Sequence, residues 1–317
     1  MPNPLSEKQK NTLSILEPEL RRCVISADFE RAKNIAGKIQ KLLRPTGHET
    51  RLLQAKNWLY ETALEANNLT YAKMGFEGTI NKSSPRTRLH LEALSLLAIC
   101  YLRENNINKA RELIIKSVEN INNIKSNERR KQFHRRLITR LEEESILVGL
   151  IDPKKQKLDL TEIDAQAVKL VMSKSEDQIL LEMGKVVPKQ AIDLLAEVRN
   201  AYQLRLPAPD RKYLPPPLNE KTKKELGVRA NSALKRVAWR AICSPDSDIY
   251  KAWSQGLTVV YDKKYIAGAI VATFNSWSIT TAMLAASAAA LAIKFGAEVF
   301  CETFAPESMM IGRNDKK

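Results

Sequence analysis

Residues 27–32 read ADFERA, residues 67–72 read NNLTYA and residues 105–110 read NNINKA. Each sets a small or polar pair ahead of an apolar residue, Phe29, Leu69 or Ile107, with alanine three positions later. These alanines, Ala32, Ala72 and Ala110, recur at spacings of 40 and 38 residues, within the range of helical repeat arrays. Helix-period segments precede the second and third copies (LLQAKNWLYETALEA and LEALSLLAICYLRE). Others follow all three (KNIAGKIQKLL, KMGFEGTI and RELIIKSVENI). The pattern predicts a row of helical hairpins, each turning at its Asn or Asp pair. One hairpin alone leaves an apolar face uncovered, so neighbours must stack.

The third copy resembles a tetratricopeptide repeat. Leu94, Leu97, Ala98 and Tyr101 match the first-helix pattern of that family, and Ala110 and Ile114 match the second. The second copy keeps Leu59, Ala72 and Phe76 but has Tyr60 where a small residue is usual, and the first keeps little beyond Ala32. The spacing exceeds the family's period of ~34 residues, and LRPTGHET and INKSSPRTR are read as lengthened loops that absorb the difference. The resemblance covers roughly residues 12–124. It implies a scaffold that binds a protein or peptide, with Tyr60, Tyr101, Asn67 and Asn105 as the partner-binding candidates. A plain helical bundle with accidental periodicity is the alternative.

Composition agrees with a helical protein. Aromatic residues make up 6 % of the 317 and glycines number 11, too few for a β-rich fold with many tight turns. The expected class is all-α: a repeat domain over 1–150, a helical extension over 151–206, a proline-rich linker over 207–218 and a C-terminal helical domain over 219–317. The linker assignment rests on LPAPDRKYLPPPL, which cannot continue a helix. Cys23, Cys100, Cys243 and Cys301 form no CxxC pair, so neither a zinc site nor a disulfide framework is expected, and a reducing, cytoplasmic setting fits best. The first residues show no secretory pattern.

The formal charge of +15 is uneven. From Tyr265 onward four basic residues oppose four acidic ones, so the first 264 carry the whole excess. Arg129, Arg130, Arg135 and Arg136 lie on an amphipathic segment whose apolar face is Phe133, Leu137, Leu141 and Val148. Arg229, Arg236 and Arg240 align on a second helix whose apolar face is Leu226, Ala230, Ala233 and Val237. Together the arginines make a basic surface suited to nucleic acid or to an acidic partner. Only Trp239 is interleaved with them, which argues against stacking on single strands.

Asp246 and Asp248 form a pair of carboxylates, read as helix-start charges that complement the macrodipole rather than as acid and base. No phosphate loop, HExxH, nucleophile elbow or kinase set occurs, and His48, His90 and His134 stand apart in sequence. No catalytic residue, cofactor or metal is assigned.

Tyr265 to Ile293 carries no charged side chain. Its length suffices for a membrane span, but Ser276–Ile293 holds seven Ala and five Ser or Thr, which makes insertion marginal. Asn275 and Ser276 are expected to break the run into a hairpin over 263–303, and Ala282, Ala286 and Ala290 recur every four residues so that another helix can approach closely. Such packing serves a soluble core, a membrane-inserting hairpin or a homo-oligomer. The expectation is a non-enzymatic adaptor or effector that binds a protein through its repeats and packs or assembles through the hairpin. Its layout is similar to that of some bacterial antiviral effectors. A basic nucleic-acid-associated protein is the second reading.

Overall fold

The three repeated stretches become three superposable turns. Ala27, Asn67 and Asn105 each adopt left-handed backbone, with φ of 57°, 60° and 56°. The next residue, Asp28, Asn68 or Asn106, caps the following helix by accepting the backbone N–H three positions on, at Arg31, Tyr71 and Lys109. That same capping residue donates its own N–H back to the carbonyl five positions earlier, at Cys23, Ala63 and Tyr101, which satisfies the end of the preceding helix. Ala32, Ala72 and Ala110 are fully buried where the two helices of each hairpin meet.

A computed structural model of the chain describes residues 2–203, 205, 206, 211, 223–245, 247–255, 263–306, 308 and 309. Among the described residues the protein is all-α, with 15 α-helices and no named strand. The packing divides it into two compact units. One holds Met1–Arg140, Asn200–Leu214 and Glu307–Lys317, and the other holds Leu141–Arg199 and Pro215–Pro306. Sequence reading alone places the main boundary at the prolines of 207–218, a stretch that lies outside the described residues apart from Arg211.

The first unit contains α1 (Glu7–Ser26), α2 (Phe29–Leu43), α3 (Glu49–Glu65), α4 (Leu69–Lys82), α5 (Arg88–Arg103) and α6 (Ile107–Glu119). Each helix packs on the next, and α3 also packs on α1 and α5, as in a helical-repeat array. Ser6 and Gln9 form a reciprocal capping box that starts α1. The division between units falls inside α7 (Asn127–Leu150), whose Phe133, Leu137, Leu141 and Val148 are buried as the sequence pattern anticipates.

Ala27 is the one turn residue of the three that has no side-chain polar group to tolerate left-handed backbone. Replacing it with Asn copies the other two turns. Ala27→Asn is expected to stabilise the first unit by roughly 0.5–1 kcal/mol, read as a raised melting temperature. An unchanged or lowered melting temperature counts against equivalence of the three turns.

The second unit begins with the end of α7 and contains α8 (Leu160–Ser173), α9 (Glu176–Lys185), most of α10 (Lys189–Gln203), α11 (Lys223–Cys243), α12 (Asp248–Ser254), α13 (Lys263–Ser276), α14 (Ala282–Phe295) and α15 (Ala297–Thr303). The uncharged run is now explained. Leu284 to Ala292 is buried without interruption, and α14 packs against α8, α9, α11, α13 and α15. A helix that is apolar all round must be covered all round, and here protein covers it. Ala286 and Ala290 are fully buried and Ala282 is half-buried at the helix start. No single described helix is long and apolar enough to cross a membrane. Among the described residues, only the pair α14 and α15, bent by 98° at Gly296, meets that length and composition.

Asn275 does more than end α13. Its side-chain amide accepts from Leu158 N at 2.8 Å and donates to Leu158 O at 3.1 Å, pinning the chain ahead of α8 to the hairpin turn. At Gly184 an added Cβ would stand 1.7 Å from the carbonyl oxygen of Lys223, so α9 and α11 touch backbone to backbone there.

Candidate functional site

In the first unit α3 exposes little to water. Gln54, Asn57, Glu61 and Glu65 fall at spacings of three and four on this helix, and all four are buried. Burying polar groups at such density requires partners. Gln54 Nε2 donates to Glu92 Oε2 at 3.3 Å, and Arg88 Nη2 donates to Gln54 Oε1 at 3.2 Å. Asn57 Nδ2 donates to the carbonyl of Leu89. Glu65 pairs with Arg140 of α7, and both side chains are 3 % exposed.

Glu61 is 1 % exposed and receives a different kind of partner. Ser308 Oγ donates to its Oε2 at 2.8 Å and the backbone N–H of Met309 donates to its Oε1 at 2.7 Å. Both carboxylate oxygens are therefore engaged by a segment 248 residues further along the chain. Met309 itself is buried. The contact is made by one main-chain N–H and one hydroxyl. Sequence reading missed Glu61 because a glutamate inside ETALEA carries no local mark of burial.

The partner-binding candidates read from the sequence also have places in the fold of the first unit. Asn67 and Asn105 are the left-handed turn residues. The Tyr60 ring fills the space above Gly75, where a Cβ would come within 2.3 Å of it, and meets the rings of Phe76 and Tyr71. Burial raises its pKa. Tyr101 donates its hydroxyl to Glu77 at 3.0 Å, with the ammonium groups of Lys73 and Lys109 over its ring.

The seven arginines divide between the two units, Arg129, Arg130, Arg135 and Arg136 in the first and Arg229, Arg236 and Arg240 in the second. Arg129 and Arg135 are exposed, whereas Arg130 donates to the carbonyl of Ile124 and to Asn127. Arg136 is half-buried. Arg229 and Arg236, read from the sequence as basic surface, instead turn onto carboxylates of α7. Arg229 pairs with Glu142, which also faces Arg199, and Arg236 donates to Glu143, which further accepts from Ser232. The physical reason is that their helix face meets another helix, and burial lowers the pKa of Arg229. Arg240 is half-buried, and burial holds its pKa down to about 9, still cationic at pH 7.

The cysteine expectation needs a correction. Cys243, at the end of α11, and Cys301, in α15, form a disulfide. Their separation of 58 residues hides the pairing from spacing rules. Cys23 and Cys100 are outside any disulfide and buried, and desolvation pushes the Cys23 thiol up to about 11. Of the aspartate pair, Asp248 starts α12 and is exposed, and Asp246 lies outside the described residues. Among the described residues no group of three or more His, Cys, Asp and Glu could hold a metal ion. No protein family, curated protein or solved structure was found to match this chain.

Proposed function

We propose that this protein is a non-enzymatic, tetratricopeptide-like adaptor whose first unit holds a peptide against α3 through Glu61. The observation that carries the reading is the double hydrogen bond from Ser308 and Met309 to that buried carboxylate. Main-chain hydrogen bonds give a bound peptide affinity that does not depend on its side chains. Residues 308 and 309 hold the position in the absence of a partner, and a partner peptide replaces them. Burial of α14 supports assigning the hairpin to internal packing of the second unit rather than to assembly or a membrane. The pairing of Arg229 and Arg236 with Glu142 and Glu143 weighs against a nucleic-acid role.

The test uses a fluorescein-labelled peptide with the sequence of residues 304–317 and protein truncated after Pro306. Saturable binding to the truncated protein is expected, with weak binding to the full chain, whose own segment competes. Glu61→Gln in the truncated protein loses charge assistance on both bonds and should bind about tenfold or more weakly. Equal binding by Glu61→Gln, or none by the truncated protein, removes the reading.

A further inference from the structure

We propose that one end of the first unit, formed by the connections α2–α3, α4–α5 and α6–α7, binds the phosphate backbone of a double-stranded nucleic acid. Each hairpin reverses at Ala27, Asn67 or Asn105, so the longer connections, over 44–48, 83–87 and 120–126, fall at the opposite end of the array. Asn123 ties the third connection to the second, its Nδ2 donating to the carbonyl of Pro85 at 2.7 Å and to that of Thr87 at 3.4 Å. Lys56, in the second turn of α3, senses both the first and the second. Burial lowers its pKa, the cations of Lys82 and Arg44 lower it further, and Glu49 opposes them. Arg44, Lys82, Arg86, Lys125 and Arg129 are exposed at this end, and Lys56 is half-buried.

Counter-charge distinguishes the two ends. At the hairpin-turn end cations are paired, Arg31 with Glu19 at 3.9 Å, Lys33 with Glu30 at 2.8 Å and Lys73 with Glu104 at 2.6 Å. Among the described residues none of Arg44, Lys82, Arg86, Lys125 and Arg129 forms an ion pair. The exposed acids at the starts of α3 and α7 are Glu49 and Glu128, two carboxylates against six cations. A helix end favours a cation, which accounts for Arg44 and Lys82, but Arg86, Lys125 and Arg129 stand at helix starts, where a cation is opposed by the macrodipole. An approaching polyanion relieves both that opposition and the mutual repulsion. The exposed large apolar side chains of the first unit, Ile15, Tyr71 and Met74, lie outside these connections, so this end offers neither a ring to stack on unpaired bases nor an apolar wedge for a bilayer. Exposed Ser84, Asn122 and Ser126 add neutral hydrogen-bonding groups suited to phosphate oxygens. Cations carried on three successive connections suit a rod of phosphates. Arg229 and Arg236, held by carboxylates in the second unit, take no part in this contact, and it does not depend on Glu61.

Fluorescence anisotropy of labelled DNA and RNA duplexes with the full chain, at roughly 50–200 mM salt, tests the assignment. Saturable binding is expected, with log Kobs falling on log salt at a slope of about −4 to −5, and the duplex bound more tightly tells DNA from RNA. Lys82→Gln, Arg86→Gln and Lys125→Gln combined should flatten the slope by about 3 and weaken binding roughly a hundredfold at physiological salt. Lys154→Gln, Lys155→Gln and Lys157→Gln combined, at exposed positions of the second unit, remove the same charge and should leave both unchanged. The first three substitutions break no ion pair, so the melting temperature should hold or rise. Co-sedimentation with phosphatidylserine vesicles is the comparison for a membrane surface. Equal weakening by the two triple variants, no duplex binding at roughly 50 mM salt, or a lowered melting temperature in the first variant overturns the proposal. So does loss of vesicle binding in that variant with duplex binding kept.

Discussion

Glu142→Ala is expected to destabilise the second unit by about 3–5 kcal/mol, the usual cost of leaving buried partner charges uncompensated. Glu142 is 3 % exposed and faces Arg229 and Arg199 from two other helices, so its loss takes a carboxylate away from two guanidiniums at once. Urea denaturation followed by circular dichroism reads the effect as a shift in midpoint at constant slope. The sign depends on which partners remain. Arg229→Ala leaves Glu142 with Arg199 and should cost less than Glu142→Ala, and the double variant should cost less than the sum of the two. A loss below about 1 kcal/mol for Glu142→Ala would mean that water reaches the network and that the pair behaves as a surface ion pair.

Breaking the Cys243–Cys301 bond is the second large effect. The bond closes a loop across α12, α13 and α14, and chain-entropy reasoning for a 58-residue separation gives about 4 kcal/mol of stabilisation. Cys243→Ser, Cys301→Ser or added reductant should each lower the melting temperature of the second unit by roughly 10 °C. The three treatments should not add, because all remove the same link. Thiol titration of the denatured, unreduced chain should find two groups, Cys23 and Cys100, against four after reduction. Four thiols before reduction, or identical melts with and without reductant, contradicts the bond.

The two cases show why some features were legible in the sequence and others were not. The hairpin turns could be read directly because an Asx cap and a left-handed residue are decided within about five positions, and the same pattern occurs three times. The arginine stripe at 229, 236 and 240 was also legible as one helix face. Its fate was not, because Glu142 lies 87 residues from Arg229, and whether a cationic face meets water or a carboxylate depends on which helix lands on it. Glu61 was hidden for the same reason, its partners arriving from residues 308 and 309.

The uncharged run separates the two kinds of information most clearly. Sequence by itself determined the all-α class, the three hairpin turns, the break after Ser276 and the close-packing alanines, since each follows from local backbone preference or from helical periodicity. It left open what covers an apolar helix, because lipid tails and protein side chains reward the same residues equally. Only the tertiary structure decided that question, by surrounding α14 with five helices of its own unit. It also brought Cys243 to Cys301 and set carboxylates against Arg229 and Arg236. Each is a contact between residues distant in sequence, and such contacts depend on how whole helices pack rather than on any one stretch of chain.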